Sequence, residues 1–163
     1  MDLSGIAFSE SRITLGFTVF QQGVLHKMRR ERILYVDDEA LAEMVRETLE
    51  RRGYEVVTDA DTEKVLRAFS KDPNSCDLAI LDHLMPRMEG LELALWLRLD
   101  RPDLPIILVT GHPDLVSRTE AERAGIREVL FKPLARPELF AAADRVLRLS
   151  QEAAAPLTPP ARG

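Results

Sequence analysis

The chain has one cysteine in 163 residues, Cys76. A lone thiol excludes an internal disulfide framework and suits a reducing compartment, where Cys76 is expected to be an inert core or loop residue. Three histidines, His26, His83 and His112, lie far apart with no Cys or His at zinc spacing, which excludes an ordinary transition-metal site. A basic stripe is also lacking: 22 Lys and Arg are mixed with 27 Asp and Glu for a formal charge of −5. Such a chain does not track a phosphate backbone, so no direct nucleic-acid partner is expected. There is no long hydrophobic run either. Ile13 to Leu25 is too short, and too interrupted by Thr, Gly and Gln, to span a bilayer. Its upstream flank carries Asp2 and Glu10 and no Lys, the wrong polarity for a secretory signal, so a cytoplasmic location is expected.

What the chain does have is four apolar runs, each ending on a reactive polar residue. Ile33-Leu34-Tyr35-Val36 runs into Asp37-Asp38, Leu78-Ala79-Ile80-Leu81 into Asp82, Ile106-Ile107-Leu108-Val109 into Thr110, and Val129-Leu130-Phe131 into Lys132. Such runs, separated by helix-like stretches, read as strands of a parallel sheet covered on both faces. In such a sheet the carboxyl ends of the strands lie along one edge, and ligands bind in the crevice outside them. Three carboxylates, a hydroxyl and an ammonium are thereby expected in one cleft.

Strand and helix alternate five times. Glu39 to Arg52 carries Leu41, Val45, Thr48 and Leu49 on one stripe, with Asp38 available as N-cap and Gly53 suited to the position after the last turn. Tyr54 to Thr58 reads as a second strand, with no acid of obvious chemical use at its tip. Further helices are expected over about Asp61 to Phe69, Gly90 to Leu99, Asp114 to Ala124, and from Pro137 onward. Right-handed crossovers then favour an α/β, doubly wound, flavodoxin-like (βα)5 fold with strand order 2-1-3-4-5. One domain over residues 28–149 is expected, with a disordered Ala/Pro-rich tail at 150–163. Residues 1–27 form an N-terminal extension. Their alternation of Ile13, Leu15, Phe17 and Val19 with polar residues suits an edge strand or docking peptide, while Met28 also suits a chain start that would make them leader sequence.

Carboxylates gathered at strand tips repel by about 4 kcal/mol for a pair at 4 Å and effective dielectric near 20. An all-oxygen, carboxylate-rich site suits Mg²⁺, which keeps several waters and takes phosphate oxygens directly. Phosphoryl transfer asks for a nucleophile, in-line positioning and positive charge. Asp82 can be the nucleophile, forming an acyl phosphate, with Lys132 a mobile charge and Thr110 a hydroxyl donor. Singly, each has an ordinary explanation as a cap, turn former or solvated charge. Jointly they do not, because like charges converging in a crevice need a cation.

Val36-Asp37-Asp38-Glu39, Leu81-Asp82-His83-Leu84-Met85-Pro86-Arg87-Met88-Glu89-Gly90, Val109-Thr110-Gly111 and Phe131-Lys132-Pro133 resemble the receiver domain of two-component response regulators, in order and at its spacing, over about Arg32 to Leu149. The resemblance implies that Asp82 accepts a phosphoryl group from a phosphohistidine on a sensor histidine kinase or phosphotransfer protein. It implies that Asp37, Asp38, Asp82 and the backbone carbonyl of Leu84 hold Mg²⁺. Thr110 and Lys132 would bind phosphoryl oxygens, with Leu84 and Gly111 lining the site, and the Lys132–Pro133 bond would be cis. Receivers often carry an inward-turning aromatic three residues before the lysine, but this chain has Val129, which makes a rotamer switch there doubtful. Phe131 could replace part of it, a plain core role being the simpler expectation. Leu84 and His112 would flank the phosphoryl group and tune its lifetime. The helix Leu91 to Leu99 is apolar almost all round, so Leu93, Trp96 or Leu97 could form a contact surface if the helix is not deep against its neighbours.

The residues after Leu149 form no output module, so the expected protein is a stand-alone receiver. It would be a signalling domain rather than an enzyme and would present roughly Pro113 to Leu149 to an unknown downstream protein or to a second copy. A phosphorelay shuttle or phosphate sink for a hybrid histidine kinase is the near alternative. An aspartyl-phosphate phosphatase of the haloacid dehalogenase type is a remote one, because that enzyme wants an acid where Leu84 stands. A binding module indifferent to phosphorylation is a third.

Overall fold

The apolar runs are strands in the structure, a computed structural model that describes residues 29–37 and 39–154, the side chains of 39 and 40 aside. The chain divides into Met1–Arg30 and Glu31–Gly163, and the fold is that of the second unit. Strands β1 (Arg32–Val36), β2 (Glu55–Asp59), β3 (Leu78–Asp82), β4 (Ile106–Thr110) and β5 (Ile126–Phe131) alternate with helices α1 (Glu39–Glu50), α2 (Thr62–Lys71), α3 (Gly90–Asp100), α4 (Arg118–Arg123) and α5 (Arg136–Ala154). The sheet is parallel, in the expected order β2-β1-β3-β4-β5. Position in that order explains composition. Central β3 and β4 are buried at every residue and carry continuous aliphatic runs, whereas edge strand β2 exposes Glu55 and Val57 and buries Val56 between them.

Side chains that alternate along each strand divide the core into halves. Tyr35, Ile80, Val109 and Leu130 face one way and meet Val45 and Leu49 of α1 and Leu139 and Val146 of α5. Val36, Leu81, Ile106 and Leu108 face the other and meet Val65 and Phe69 of α2 and Leu93 and Leu97 of α3. Leu93 and Leu97, candidates for a contact surface, are therefore core; α3 instead exposes Leu95, Trp96 and Leu99.

Local chemistry sets the helix ends. Asp61 caps α2 by accepting the Glu63 and Lys64 amides at 3.0 and 3.2 Å. The helix expected over Asp114 to Ala124 is two pieces, a 3₁₀ turn at Pro113–Leu115 and then α4, because Ser117 and Glu120 form a reciprocal capping box that starts the helix afresh. α5 continues to Ala154, past the expected end near Leu149, since alanines sustain a helix. The tail beyond it, the front segment with Ile13 to Val19, and Asp38 lie outside the described residues. No helix among the described residues is long and apolar enough to cross a membrane.

Cys76 is buried between the sheet and α2–α3, and burial pushes its thiol from 9.0 up to about 11 against the pull of the Arg101 guanidinium. A thiol at about 11 in place of 9.0 leaves about a hundredfold less thiolate near neutral pH, before access is counted. Maleimide labelling at pH 8 is expected to be at least about a hundredfold slower in the native chain than in denaturant. Equal rates would contradict the burial.

Candidate functional site

Asp37 directly follows β1, Asp82 ends β3, and Lys132 directly follows β5, all at the carboxyl edge. Strand pairing sets which way these residues point. Asp82 stands opposite Val109, and Asp37 and Lys132 have the alternation of Tyr35 and Leu130, so the three share the face turned toward α1 and α5. Both carboxylates are almost wholly buried, Asp37 at 1% and Asp82 at 5% exposure. The Lys132 ammonium bridges them, 2.8 Å from Asp82 Oδ1 and 3.4 Å from Asp37 Oδ2. The Tyr35 hydroxyl donates a further hydrogen bond to Asp37 Oδ2. Burial alone would depress the lysine, but its hydrogen bond to Asp82 and the field of both carboxylates outweigh this and hold it above the ordinary value. The backbone after β5 is fixed by the cis Lys132–Pro133 bond and by the Lys132 amide donating to Thr110 O at 2.8 Å.

One ammonium cannot neutralise two carboxylates. The remaining negative charge lies among oxygen donors in a buried setting, which a hard divalent cation fits. Among the described residues no three His, Cys, Asp or Glu side chains gather as metal ligands, and the third expected carboxylate, Asp38, is outside them.

Thr110 is the departure from expectation. Its pairing with Phe131 puts it on the opposite face from Asp82 and Lys132, with no exposure. Its hydroxyl accepts the His112 amide at 3.0 Å and lies 3.2 Å from Nδ1 of His83. Sequence reasoning gave His83 no role. It is nonetheless buried at 3% exposure, and its alternation with Leu81 was the available signal. Leu84 and His112 are exposed at the rim. Gly111 is also exposed, and a Cβ there would meet Lys132 Cβ at 3.8 Å, an ordinary contact. Phe131 is 49% exposed, not a core residue, because it ends the edge strand β5 where no helix covers it.

The tip of β2 carries an acid. Strand β2 extends to Asp59, which forms an ion pair with Lys64 at 2.6 Å. Burial would raise Asp59, but Lys64 and the Asp61 and Ala60 amides bring it below the usual carboxylate value. Asp59 and Asp37 line a cleft of about 510 Å³ together with Asp61, Lys64, Pro86 and Arg87. The floor between β3 and α3 is tight. Gly90 donates its amide to His83 O at 2.8 Å, and a Cβ on Gly90 would lie 2.2 Å from the Asp82 carbonyl oxygen.

Residues 33–144 match the model of the response regulator receiver domain. The chain is 37% identical over 123 residues to a probable transcriptional regulator ycf27 of Porphyridium aerugineum, covering 74% of this chain and 50% of that protein. It is 37% identical over 118 residues to the response regulator MprA of Mycolicibacterium vanbaalenii, covering 72% and 50%. The chain thus spans about half the length of the curated relatives it matches. A CheY-like receiver domain protein from Methanospirillum hungatei superposes with a TM-score of 0.71 at 30% identity, covering 77% of this chain and 99% of that one. One from Clostridium thermocellum gives 0.69 at 30%, covering 76% and 98%. A parallel 2-1-3-4-5 sheet with acid, acid and lysine at its carboxyl edge, matched along most of the domain, places this chain in the response regulator receiver domain family of two-component signalling.

Proposed function

We propose that Asp82 is the phosphoacceptor of this receiver and takes its phosphoryl group from a phosphohistidine on a sensor histidine kinase or a phosphotransfer protein. The observation that carries this reading is the pair of buried carboxylates, Asp37 and Asp82, bridged by the Lys132 ammonium. An Asp82 oxygen attacks phosphorus in line, and the phosphorus–nitrogen bond breaks with its electron pair going to the imidazole. Lys132, already within reach of Asp82, follows charge onto the incoming phosphoryl oxygens, and Thr110 supplies a hydroxyl to another. Asp37, Asp38, Asp82 and the Leu84 carbonyl would hold Mg²⁺, which would supply positive charge against the phosphoryl oxygens.

The output is a change in the face spanning residues 113–149, offered to a downstream protein or a second copy of this chain. That face carries a groove of about 310 Å³ lined by Pro113, Val116, Ala121, Ile126, Val129 and Phe131. Three matched relatives are named as probable transcriptional regulators, so nucleic acid as a partner of the whole protein is a further proposal. A shuttle or sink in a phosphorelay uses the same chemistry. A phosphatase reading is poorly served by Leu84, which offers no proton where a general acid would be needed. A cytoplasmic location is part of the same proposal, supported by the need to meet a sensor kinase's phosphohistidine.

Incubation with acetyl phosphate and Mg²⁺, followed by phosphate-affinity electrophoresis, is expected to shift the native chain and to leave Asp82→Asn unshifted. Equal shifts for both would remove the assignment.

A further inference from the structure

We propose that His83 is a positioning residue for Thr110, its imidazole holding the threonine hydroxyl on the far face of the sheet until Asp82 is modified. This rests on the phosphoacceptor reading of Asp82 and adds to it a residue outside the acid and lysine set. The hydroxyl of Thr110 already accepts the His112 amide at 3.0 Å, so its own proton is available to Nδ1 of His83 at 3.2 Å. We assign Nδ1 as the acceptor, with the ring proton on Nε2, one of the two tautomers the distance allows. Both partners are buried, so water does not compete for the bond.

The backbone of His83 is held in place from two sides. His83 donates its amide to Val109 O at 2.8 Å and accepts the Gly90 amide at 2.8 Å. With the backbone clamped and the ring buried at 3% exposure, the imidazole has little room to follow the hydroxyl. Any approach of Thr110 to a phosphoryl group beside Asp82 therefore breaks the bond to His83. The hydrogen-bonded pair raises the cost of recruiting Thr110 by the worth of one buried hydrogen bond, a factor of about five in the equilibrium.

The test compares the full-length native chain with His83→Leu, which removes the acceptor, and His83→Asn, whose amide oxygen replaces Nδ1. Initial rates of Asp82 modification by acetyl phosphate at saturating Mg²⁺ and the half-saturating concentration of beryllofluoride are measured for each. The leucine variant is expected to react about fivefold faster and to saturate at about fivefold less beryllofluoride. The asparagine variant should stay near the native values. Nitrogen NMR of the native imidazole is expected to show an unprotonated, hydrogen-bonded Nδ1 whose resonance moves when beryllofluoride is added. Equal behaviour of the leucine and asparagine variants, a slower leucine variant of native circular dichroism, or a protonated Nδ1 overturns the proposal. The NMR reading needs no substitution, so it decides even where a variant fails to fold. A native chain that takes no phosphoryl group at all sinks the phosphoacceptor reading instead, which keeps the two failures apart.

Discussion

Replacing Lys132 with methionine is expected to cost about 2 kcal/mol of stability in magnesium-free buffer and to make stability respond to Mg²⁺. Methionine keeps most of the stem, so the loss reports the ammonium. Breaking a buried pair costs about 3–5 kcal/mol, and the smaller figure allows for the roughly quarter exposure of the Lys132 side chain. What remains is two buried carboxylates with no ammonium between them, a situation a divalent cation relieves. Mg²⁺ should restore most of the loss in the variant while stabilising the native chain less, because there it competes with Lys132. The pH dependence has a defined sign. The folded lysine titrates above its unfolded value, so its contribution is complete below about pH 10.4 and is lost as pH rises through the higher folded value. The gap between native chain and variant is therefore expected to hold steady through neutral pH and close only in strong alkali. Urea unfolding with and without Mg²⁺ measures it, and equal stabilities in magnesium-free buffer would contradict the bridge.

Gly90→Ala is expected to lose about 3 kcal/mol and to lower the melting temperature by about 10 °C. Two effects compete at this position. Alanine favours a helix over glycine by about 1 kcal/mol, which would stabilise α3. Against that, the added methyl would sit 2.2 Å from the Asp82 carbonyl oxygen and 3.0 Å from its carbon and from Leu108 Cδ1. Two of those atoms are backbone of Asp82, which is pinned in the sheet, so no flexible side chain can yield. Sterics win, and because Asp82 must shift, modification by acetyl phosphate should slow as well. A calorimetric midpoint equal to that of the native chain would show that the approach is looser than described.

The sheet was legible because continuous aliphatic runs are what two-sided burial demands, as Leu78 to Asp82 and Ile106 to Thr110 show. Asp37, Asp82 and Lys132 were legible as strand terminators that parallel pairing brings to one edge. What escaped was set by tertiary context. The break before α4 depended on a capping box whose Ser117 and Glu120 were visible but outweighed by an apparently continuous helical stretch. The ion pair of Asp59 depended on where an edge strand ended and on Lys64 reaching it. Phe131 was placed in the core because its alternation was read without knowing that no helix covers the tip of β5. His83 was passed over because a motif fixes residue order, not which face of the sheet each side chain takes. That face decides whether Thr110 rests beside Asp82 or beside an imidazole.

The central claim is that the Asp82 carboxylate becomes an acyl phosphate, and borohydride tests it at the level of the bond. Hydride reduces an acyl phosphate to an alcohol and leaves free carboxylates untouched. After treatment with acetyl phosphate and Mg²⁺, reduction should convert residue 82 to homoserine in the tryptic peptide Asp72–Arg87, with residue 37 unchanged. Aspartate recovered intact at 82, or homoserine at 37 in its place, would contradict the account.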